Sequence, residues 1–168
     1  ITSSSFSARS LKIPYLGIFG ACSSSMEGLA ISSFIVDSNG AEYVLCGTSS
    51  HNAAAEKQFR YPTEYGGQKP PTAQWTVTGA GAAVVGKGYD KPKVTSATIG
   101  RVIDMGISDP FNMGAAMAPA AVDTIEAHFR DLNRDPSYYD IIATGDLGKI
   151  GHDIAKEMLK RDGFEFPQ

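Results

Sequence analysis

The sequence predicts an α/β protein with a mixed sheet, in the order strand, helix, strand, loop, strand, strand, helix, strand, helix. The main observation is that short apolar runs alternate with stretches in which apolar residues recur every three or four positions. The length of 168 residues corresponds to about one domain. A composition of 42% hydrophobic and 20% charged residues is typical of a globular protein and not of a disordered one.

The first predicted strand and helix lie on either side of a group of small residues. Residues 15–19 form a short apolar run after Pro14, which is typical of a buried strand. Apolar side chains then fall at helical spacing over residues 26–34. A serine among residues 23–25 is a candidate N-cap for this helix, which residues 37–40 are expected to end.

The middle of the chain predicts three strands and a long loop. Residues 43–46 are the second strand candidate. Residues 60–71 are polar and rich in Gly and Pro, and a loop of this length without structure of its own is usually functional. Residues 74–85 and 93–105 read as two long strands, and the turn at residues 86–90 predicts that they pair antiparallel.

Two helices and one strand are predicted near the end of the chain. Residues 116–132 show helical spacing, with Pro119 near the start, where proline is tolerated. Residues 139–143 are an apolar strand candidate. Residues 150–160 form the last predicted helix, and Gly163 follows it as a stop signal.

Charge and cysteine content exclude several classes of function. The formal net charge of −3 provides no basic surface for nucleic acid. The two cysteines cannot form a disulfide framework, and they suit a reducing compartment. No apolar run approaches the roughly 20 residues that span a bilayer, so we expect any membrane association to come through a partner. Because the chain opens on Ile1, we expect it to be a fragment of a longer protein.

Cys22 is the residue that most strongly indicates chemistry. It lies between a predicted strand and a predicted helix and is surrounded by small residues, which is the geometry of a nucleophile elbow. A helix N-terminus stabilises negative charge, so it would favour a thiolate and would equally bind a carboxylate ligand. A buried, inert thiol is the alternative. Cys46 lies inside an apolar strand, and we expect it to be structural.

The histidines and the basic residues indicate function less strongly than Cys22 does. His51 follows a strand, at the end where open α/β sheets bind ligands. We expect His128 to lie on a helix surface or to pack there, and His152 to have no functional role. The spacing of the histidines and cysteines matches no metal motif, so no metal or cofactor is expected. An anionic ligand would need cations, and the candidates near loops are Arg60, Lys69 and Arg101.

Several motifs resemble known families. The sequence Gly20-Ala21-Cys22-Ser23-Ser24-Ser25-Met26-Glu27 resembles the cysteine elbow of the thiolase and ketoacyl-synthase superfamily. A closer resemblance is to the family of stage V sporulation protein AD of spore-forming bacteria, and it extends over residues 7–164. The segments that carry this closer resemblance are residues 48–53, 58–70, 101–106 and 117–121.

The resemblance implies a thiolase-like fold of layered α-β-α type, with the whole of residues 1–168 as one thiolase-like segment. In it, the first half of the fold ends at about residue 105 and the second half starts at about residue 106. It also implies a protein that binds dipicolinic acid (pyridine-2,6-dicarboxylate) and supports its uptake into the developing spore. Such a protein would be a homodimeric subunit of the SpoVA membrane complex, peripheral on the cytoplasmic side of the spore inner membrane.

Dipicolinate is a flat aromatic dianion, which calls for a helix N-terminus, hydrogen-bond donors, cations and an apolar wall. Its pocket would correspond to the thiolase cavity, so the resemblance places Cys22 in the site. Calcium accompanying dipicolinate is left open, because no oxygen-rich loop is visible for it. The expected ligand-binding residues are Cys22, Ser24, His51, Asn52, Arg60, Lys69 and Asp146.

One departure from the condensing enzymes bears on catalysis. Those enzymes carry a catalytic histidine after the strand that matches residues 139–144, whereas this sequence has Gly145 and Asp146 there. A cysteine without a basic partner loses the activation that nucleophilic chemistry needs. The sequence therefore favours a binding protein that is not an enzyme. An acyl-transfer enzyme with Cys22 as nucleophile and Asp146 as base, and an assembly protein with a vestigial pocket, are the alternatives.

Overall fold

Four helices and two strands make up the residues that the structure, a computed structural model of the chain, describes: residues 3–51, 77–88 and 92–165. The protein is mixed α/β, as predicted. The chain divides into two compact units, Ile1–Gln58 with Thr76–Thr95 and Phe59–Trp75 with Ser96–Gln168. The elements are α1 (Ser3–Leu11), α2 (Ser24–Asp37), β1 (Tyr43–Ser50), β2 (Gly79–Gly86), α3 (Met113–Leu132) and α4 (Gly148–Arg161), with short 3-10 turns at Ala21–Ser23 and Pro136–Tyr138.

The first unit contains α1 and a two-stranded sheet with α2 packed on it. β1 and β2 pair antiparallel, from Tyr43 opposite Gly86 to Ser50 opposite Gly79. Exposure alternates along β1, as expected for a sheet covered on one face. The uncovered face includes Tyr43, which is 63% exposed.

The helix α2 approaches β1 closely at a glycine. A Cβ atom added to Gly28 would lie 2.6 Å from Cys46 Sγ. The same sulfur lies 4.0 Å from the carbonyl oxygen of Ser25, in the first turn of α2. Cys46 is half-buried there, which agrees with its predicted structural role. Glycine is needed at position 28 because any side chain would displace the sulfur or the helix.

The second unit has a core between α3 and α4. The two helices approach closely at Gly114 and Gly151, where a Cβ on Gly151 would lie 2.7 Å from the Gly114 carbonyl oxygen. Small residues at a helix crossing allow the backbones to approach, so the apolar side chains beside them meet. The buried core residues are Ala118, Val122, Leu147, Ala155 and Leu159.

Local sequence signals explain both ends of α3. Asn112 Oδ1 accepts a hydrogen bond from the Ala115 amide at 3.2 Å, which caps the N-terminus. Asn133 adopts a left-handed conformation with φ 49° at the C-terminus, where asparagine is one of the residues that tolerate it. Pro119 was predicted to lie near the start of the helix, and that prediction was wrong. Because the helix starts at Met113, the proline lies inside it, where it cannot donate a backbone hydrogen bond.

An extended segment, residues 96–101, lies along α3 and is called the strap below. Thr98 Oγ1 is 2.8 Å from His128 Nδ1. At the other end of the strap, Arg101 forms a two-pronged ion pair with Asp123, with its shortest N–O distance at 2.6 Å. Side chains therefore fasten the strap to α3 at both ends.

The predicted pairing of residues 74–85 with 93–105 was wrong. β2 pairs with β1 instead, and residues 93–105 contain no strand. The strands predicted at residues 15–19 and 139–143 are also absent, and Leu16 and Ile141 are 66% and 82% exposed. A strand requires a neighbour to satisfy its backbone groups, and nothing among the described residues pairs with these runs.

The helix predictions were confirmed. Helices cover the predicted residues 26–34, 116–132 and 150–160, and each extends by a few residues beyond them. The strand predicted at residues 43–46 is also confirmed and continues to Ser50. The helix α1 was not predicted, and the predicted loop at residues 60–71 lies outside the described residues. Across the part of the chain that is described, none of the helices combines the length and the apolar character needed to cross a membrane.

We predict that Gly151→Ala destabilises the protein although alanine is the better helix former. Helix propensity favours alanine by about 1 kcal/mol, whereas overpacking of a close contact costs about 1–3 kcal/mol. The contact with Gly114 should therefore outweigh the propensity gain, and the midpoint of urea unfolding should fall. Gly145→Ala is the matched control, because a Cβ there would meet nothing within 4 Å. Equal midpoints for the two variants would contradict the close helix crossing.

Candidate functional site

Cys22 lies in a tight turn at the entrance to α2, and residues 20–24 are called the Cys22 turn below. The residue belongs to the 3-10 turn Ala21–Ser23, and its thiol is exposed. Ala21 has φ 48°, a left-handed conformation that alanine rarely adopts. The amide of Ser23 closes the turn by donating to the Gly20 carbonyl at 2.9 Å. The predicted turn before a helix is confirmed, although the predicted strand before it is absent.

The serine hydroxyls of this turn do not cap α2, so that part of the prediction was wrong. Ser23 Oγ donates to the Gly20 carbonyl at 2.7 Å, and Ser24 Oγ donates to the Ala21 carbonyl at 2.8 Å. Ser24 Oγ also accepts from the Gly20 amide at 3.0 Å. No side-chain hydrogen bond caps the N-terminus of α2. The hydroxyls therefore hold the turn together and are not used to occupy the first amides of the helix.

Glu27 packs against the Cys22 turn. A Cβ added to Gly20 would lie 2.5 Å from Glu27 Oε2, so the absence of a side chain at Gly20 makes room for the carboxylate. This oxygen is buried and has no hydrogen-bond partner within the described parts of the chain. Glu27 lies in the first turn of α2, where a carboxylate suits the helix dipole. The burial of its oxygen depends on the fold of the turn.

A small cavity of about 270 Å³ lies at the opposite end of α2. Lys87 Nζ donates to Asn39 Oδ1 at 2.6 Å across its rim. Because it includes the end of α2 and the start of β1, the cavity shows that β1 begins beside the helix C-terminus. The lining residues are Val36, Asn39, Ala41, Glu42, Tyr43 and Lys87.

The direction of β1 determines where His51 lies. β1 begins near the end of α2, and further along it Cys46 contacts Ser25 in the first turn of the helix. The strand therefore runs antiparallel to α2, and its last residue, Ser50, points toward the Cys22 end of the unit. His51 follows directly, so the prediction that it follows the carboxyl end of a strand is confirmed. The hydroxyl of Ser50 is also buried without a hydrogen-bond partner among the described residues.

Three of the predicted site residues belong to the first unit, with Cys22 and Ser24 in the Cys22 turn and His51 directly after β1. Asp146 belongs to the second unit, where its Oδ1 accepts from the Gly148 amide at 2.9 Å at the start of α4. That hydrogen bond fixes the turn into the helix. The remaining predicted site residues lie outside the described residues, and they are Asn52, Arg60 and Lys69.

The cation candidate Arg101 is engaged in an ion pair. Its Nε and Nη2 atoms donate to the Asp123 carboxylate at 2.6–3.1 Å. The hydrogen bonds from Arg101 hold the pKa of Asp123 below its ordinary value, and those to Asp123 raise the pKa of Arg101. This geometry favours a role in fastening the strap. No group of three or more His, Cys, Asp or Glu side chains suited to a metal ion occurs within the described ranges.

Comparison with known proteins identifies the family. The family model described as stage V sporulation protein AD matches residues 1–168. The chain belongs to the stage V sporulation protein AD family. It is 60% identical over 157 residues to stage V sporulation protein AD of Bacillus subtilis (strain 168), a match that covers 94% of this chain and 46% of that relative. The chain therefore spans slightly less than half the length of this relative, and the family inferred from its motifs is confirmed.

We predict that Cys22 reacts with a thiol reagent before Cys46 does. Cys22 is exposed, whereas Cys46 is half-buried against α2. Brief alkylation of the native protein with iodoacetamide, followed by peptide mass spectrometry, should modify Cys22 first. In urea the two rates should converge, because unfolding removes the difference in access. Faster labelling of Cys46 in the native protein would contradict the packing of β1 on α2.

We also predict that Gly28→Ala destabilises the protein and that Cys46→Ala partly rescues it. The added methyl group would meet Cys46 Sγ, and overpacking of this kind costs about 1–3 kcal/mol. Removing the sulfur removes the clash, so the double variant should be more stable than Gly28→Ala alone in urea unfolding. Cys46→Ala alone is the control. A double variant whose loss equals the sum of both single losses would show that the two positions do not touch.

Proposed function

We propose that this chain forms part of a protein that binds dipicolinate and does not transform it. The observation that supports this proposal best is the exposed Cys22 at the start of α2, where no side chain caps the helix. The N-terminus of an α-helix carries a partial positive charge and amides that point toward a ligand, which suits a carboxylate. Membership of the stage V sporulation protein AD family supports a role in sporulation.

The two carboxylates and the aromatic ring of dipicolinate would be bound by different residues. One carboxylate would meet the Cys22 turn, where the Cys22 thiol and the amides that follow Ser24 in the first turn of α2 would be the donors. The Ser24 amide itself already donates to the Ala21 carbonyl. Cations from the chain would balance the second carboxylate, and Arg60 and Lys69 are the proposed sources. Asn52 and His51, at the end of β1, would add further donors. The ring would lie against apolar side chains near the turn, and calcium bound to dipicolinate would be part of the ligand.

The absence of a catalytic histidine after residue 144 supports binding without catalysis. Asp146, which occupies that stretch, accepts a hydrogen bond from the start of α4. Acyl transfer is the alternative function, and the exposed thiol on a strained turn at Ala21 favours it. That reaction requires a base to take the thiol proton. Asp146 would have to serve as that base and give up its contact with α4.

We also propose the larger setting that the resemblance implies. The packing of α2 on one face of the β1–β2 sheet is compatible with the α-β-α layers of a thiolase-like fold, in which residues 1–105 and 106–168 belong to successive halves. The full-length protein would be a homodimer and a subunit of the SpoVA complex, peripheral on the cytoplasmic side of the spore inner membrane. There it would support uptake of dipicolinate into the developing spore.

The decisive experiment is thermal denaturation of the full-length protein with and without dipicolinate. A ligand at 100 times its Kd that binds only the folded state adds about 2.7 kcal/mol of stability, so the melting temperature should rise. Cys22→Ala should abolish the rise, and Cys46→Ala should keep it. A rise that persists unchanged in Cys22→Ala would refute the proposed site.

The same preparation distinguishes the alternatives. Acyl transfer predicts that an acyl-CoA leaves a covalent acyl group on Cys22, detectable by mass spectrometry. A pure assembly role predicts neither this adduct nor a dipicolinate-dependent shift. Either result would overturn the proposal that the protein binds dipicolinate without chemistry.

A further inference from the structure

A ring of side-chain hydrogen bonds closes around His128 in the second unit. His128 Nδ1 is 2.8 Å from Thr98 Oγ1, and His128 Nε2 is 2.5 Å from Tyr139 Oη. Arg134 Nη1 donates to Tyr139 Oη at 2.6 Å and to Ser96 Oγ at 3.4 Å. Because Ser96 and Thr98 are two residues apart on the strap, the bonds form a closed ring. His128 is half-buried within it, in agreement with the prediction that it packs on its helix.

The ring favours one placement of the protons. Arginine only donates, so Tyr139 Oη accepts from Arg134 and has one proton of its own to give. The arrangement that leaves Tyr139 Oη with a single donor directs this proton to His128 Nε2, which then accepts it. The remaining ring nitrogen, Nδ1, carries the hydrogen and donates it to Thr98 Oγ1. With His128 neutral and in this Nδ1–H form, each of the four hydrogen bonds has one donor and one acceptor.

The charged groups near His128 come from the segment after α3 and from α3 itself. Arg134, from the segment after α3, shares the Tyr139 hydroxyl with His128, and its guanidinium carbon lies 5.8 Å from the centroid of the Tyr139 ring. The strap contributes only the neutral Ser96 and Thr98 at this point. On α3 itself, the carboxylate at i+3 is Asp131, which is exposed and therefore screened by solvent.

We propose that this ring is a proton-controlled latch that holds the strap on α3. While His128 is neutral the ring is closed. Protonation of Nε2 removes the acceptor for the Tyr139 proton and places a second cation across that hydroxyl from Arg134. The ring then opens, and Ser96 and Thr98 leave α3. The ion pair at Arg101 keeps the far end of the strap in place, so the change is local. The latch is independent of the dipicolinate proposal.

The tautomer can be tested on the wild-type chain by ¹⁵N NMR of its histidine rings at about pH 8, above the range in which imidazole is protonated. The latch requires His128 to show a protonated Nδ1 and an unprotonated Nε2. A predominant Nε2–H form would refute it. This measurement needs no variant, so it holds even where a substitution prevents folding.

Opening of the latch can be tested by hydrogen exchange of peptides that cover the strap, corrected for the intrinsic effect of pH. Between about pH 8 and about pH 5, across the range in which histidine titrates, the wild-type strap should lose protection. In His128→Gln it should stay protected, because the amide both accepts and donates but takes up no proton. His152→Gln, which changes an exposed histidine, should respond like wild type. The same loss in His128→Gln as in wild type, or no loss in wild type, would overturn the latch.

Discussion

The contact between Gly28 and Cys46 sets the geometry of the first unit. The absence of a side chain at Gly28 allows the first turns of α2 to approach β1, and Cys46 Sγ fills the space that a Cβ would occupy. Together with the cavity that joins the end of α2 to the start of β1, this contact shows that the helix runs antiparallel to the strand. Cys22 before the helix and His51 after the strand consequently lie at the same end. The packing of α2 on β1 thus depends on a pair of residues that carries no chemistry of its own.

The second unit also depends on a close approach at glycines, and polar side-chain contacts add to it. Gly114 and Gly151 allow α3 and α4 to approach, and a small apolar core forms beside them. On the other side of α3, the ring around His128 and the ion pair of Arg101 hold the strap without strand pairing. Ion pairs at exposed positions contribute little by themselves. The two fastenings differ in kind, because one is a two-pronged ion pair and the other is a half-buried ring of hydrogen bonds.

The helices could be predicted from the sequence because their hydrogen bonds are local. Apolar periodicity and the stop near Gly163 lie within or just after the segments they describe. The strands could not be predicted as well, because an apolar run does not specify its partner. The pattern of residues 93–105 favoured a hairpin with β2, but the structure pairs β2 with β1 and lays the strap on α3. The partner of a strand depends on tertiary contacts, which the local sequence of the strand does not specify.

The candidate site likewise has features that could be predicted from the sequence and features that could not. The small residues around Cys22 and its position before a helix were visible in the sequence, whereas the buried oxygen of Glu27 was not, because it depends on how the chain folds over Gly20. That oxygen constrains how an anion can approach. In the proposed function, an ionised dipicolinate would only accept hydrogen bonds, so it would offer no donor to Glu27 Oε2. Its carboxylate would therefore approach from the side of the α2 amides and the Cys22 thiol, with the aromatic ring directed away from Glu27.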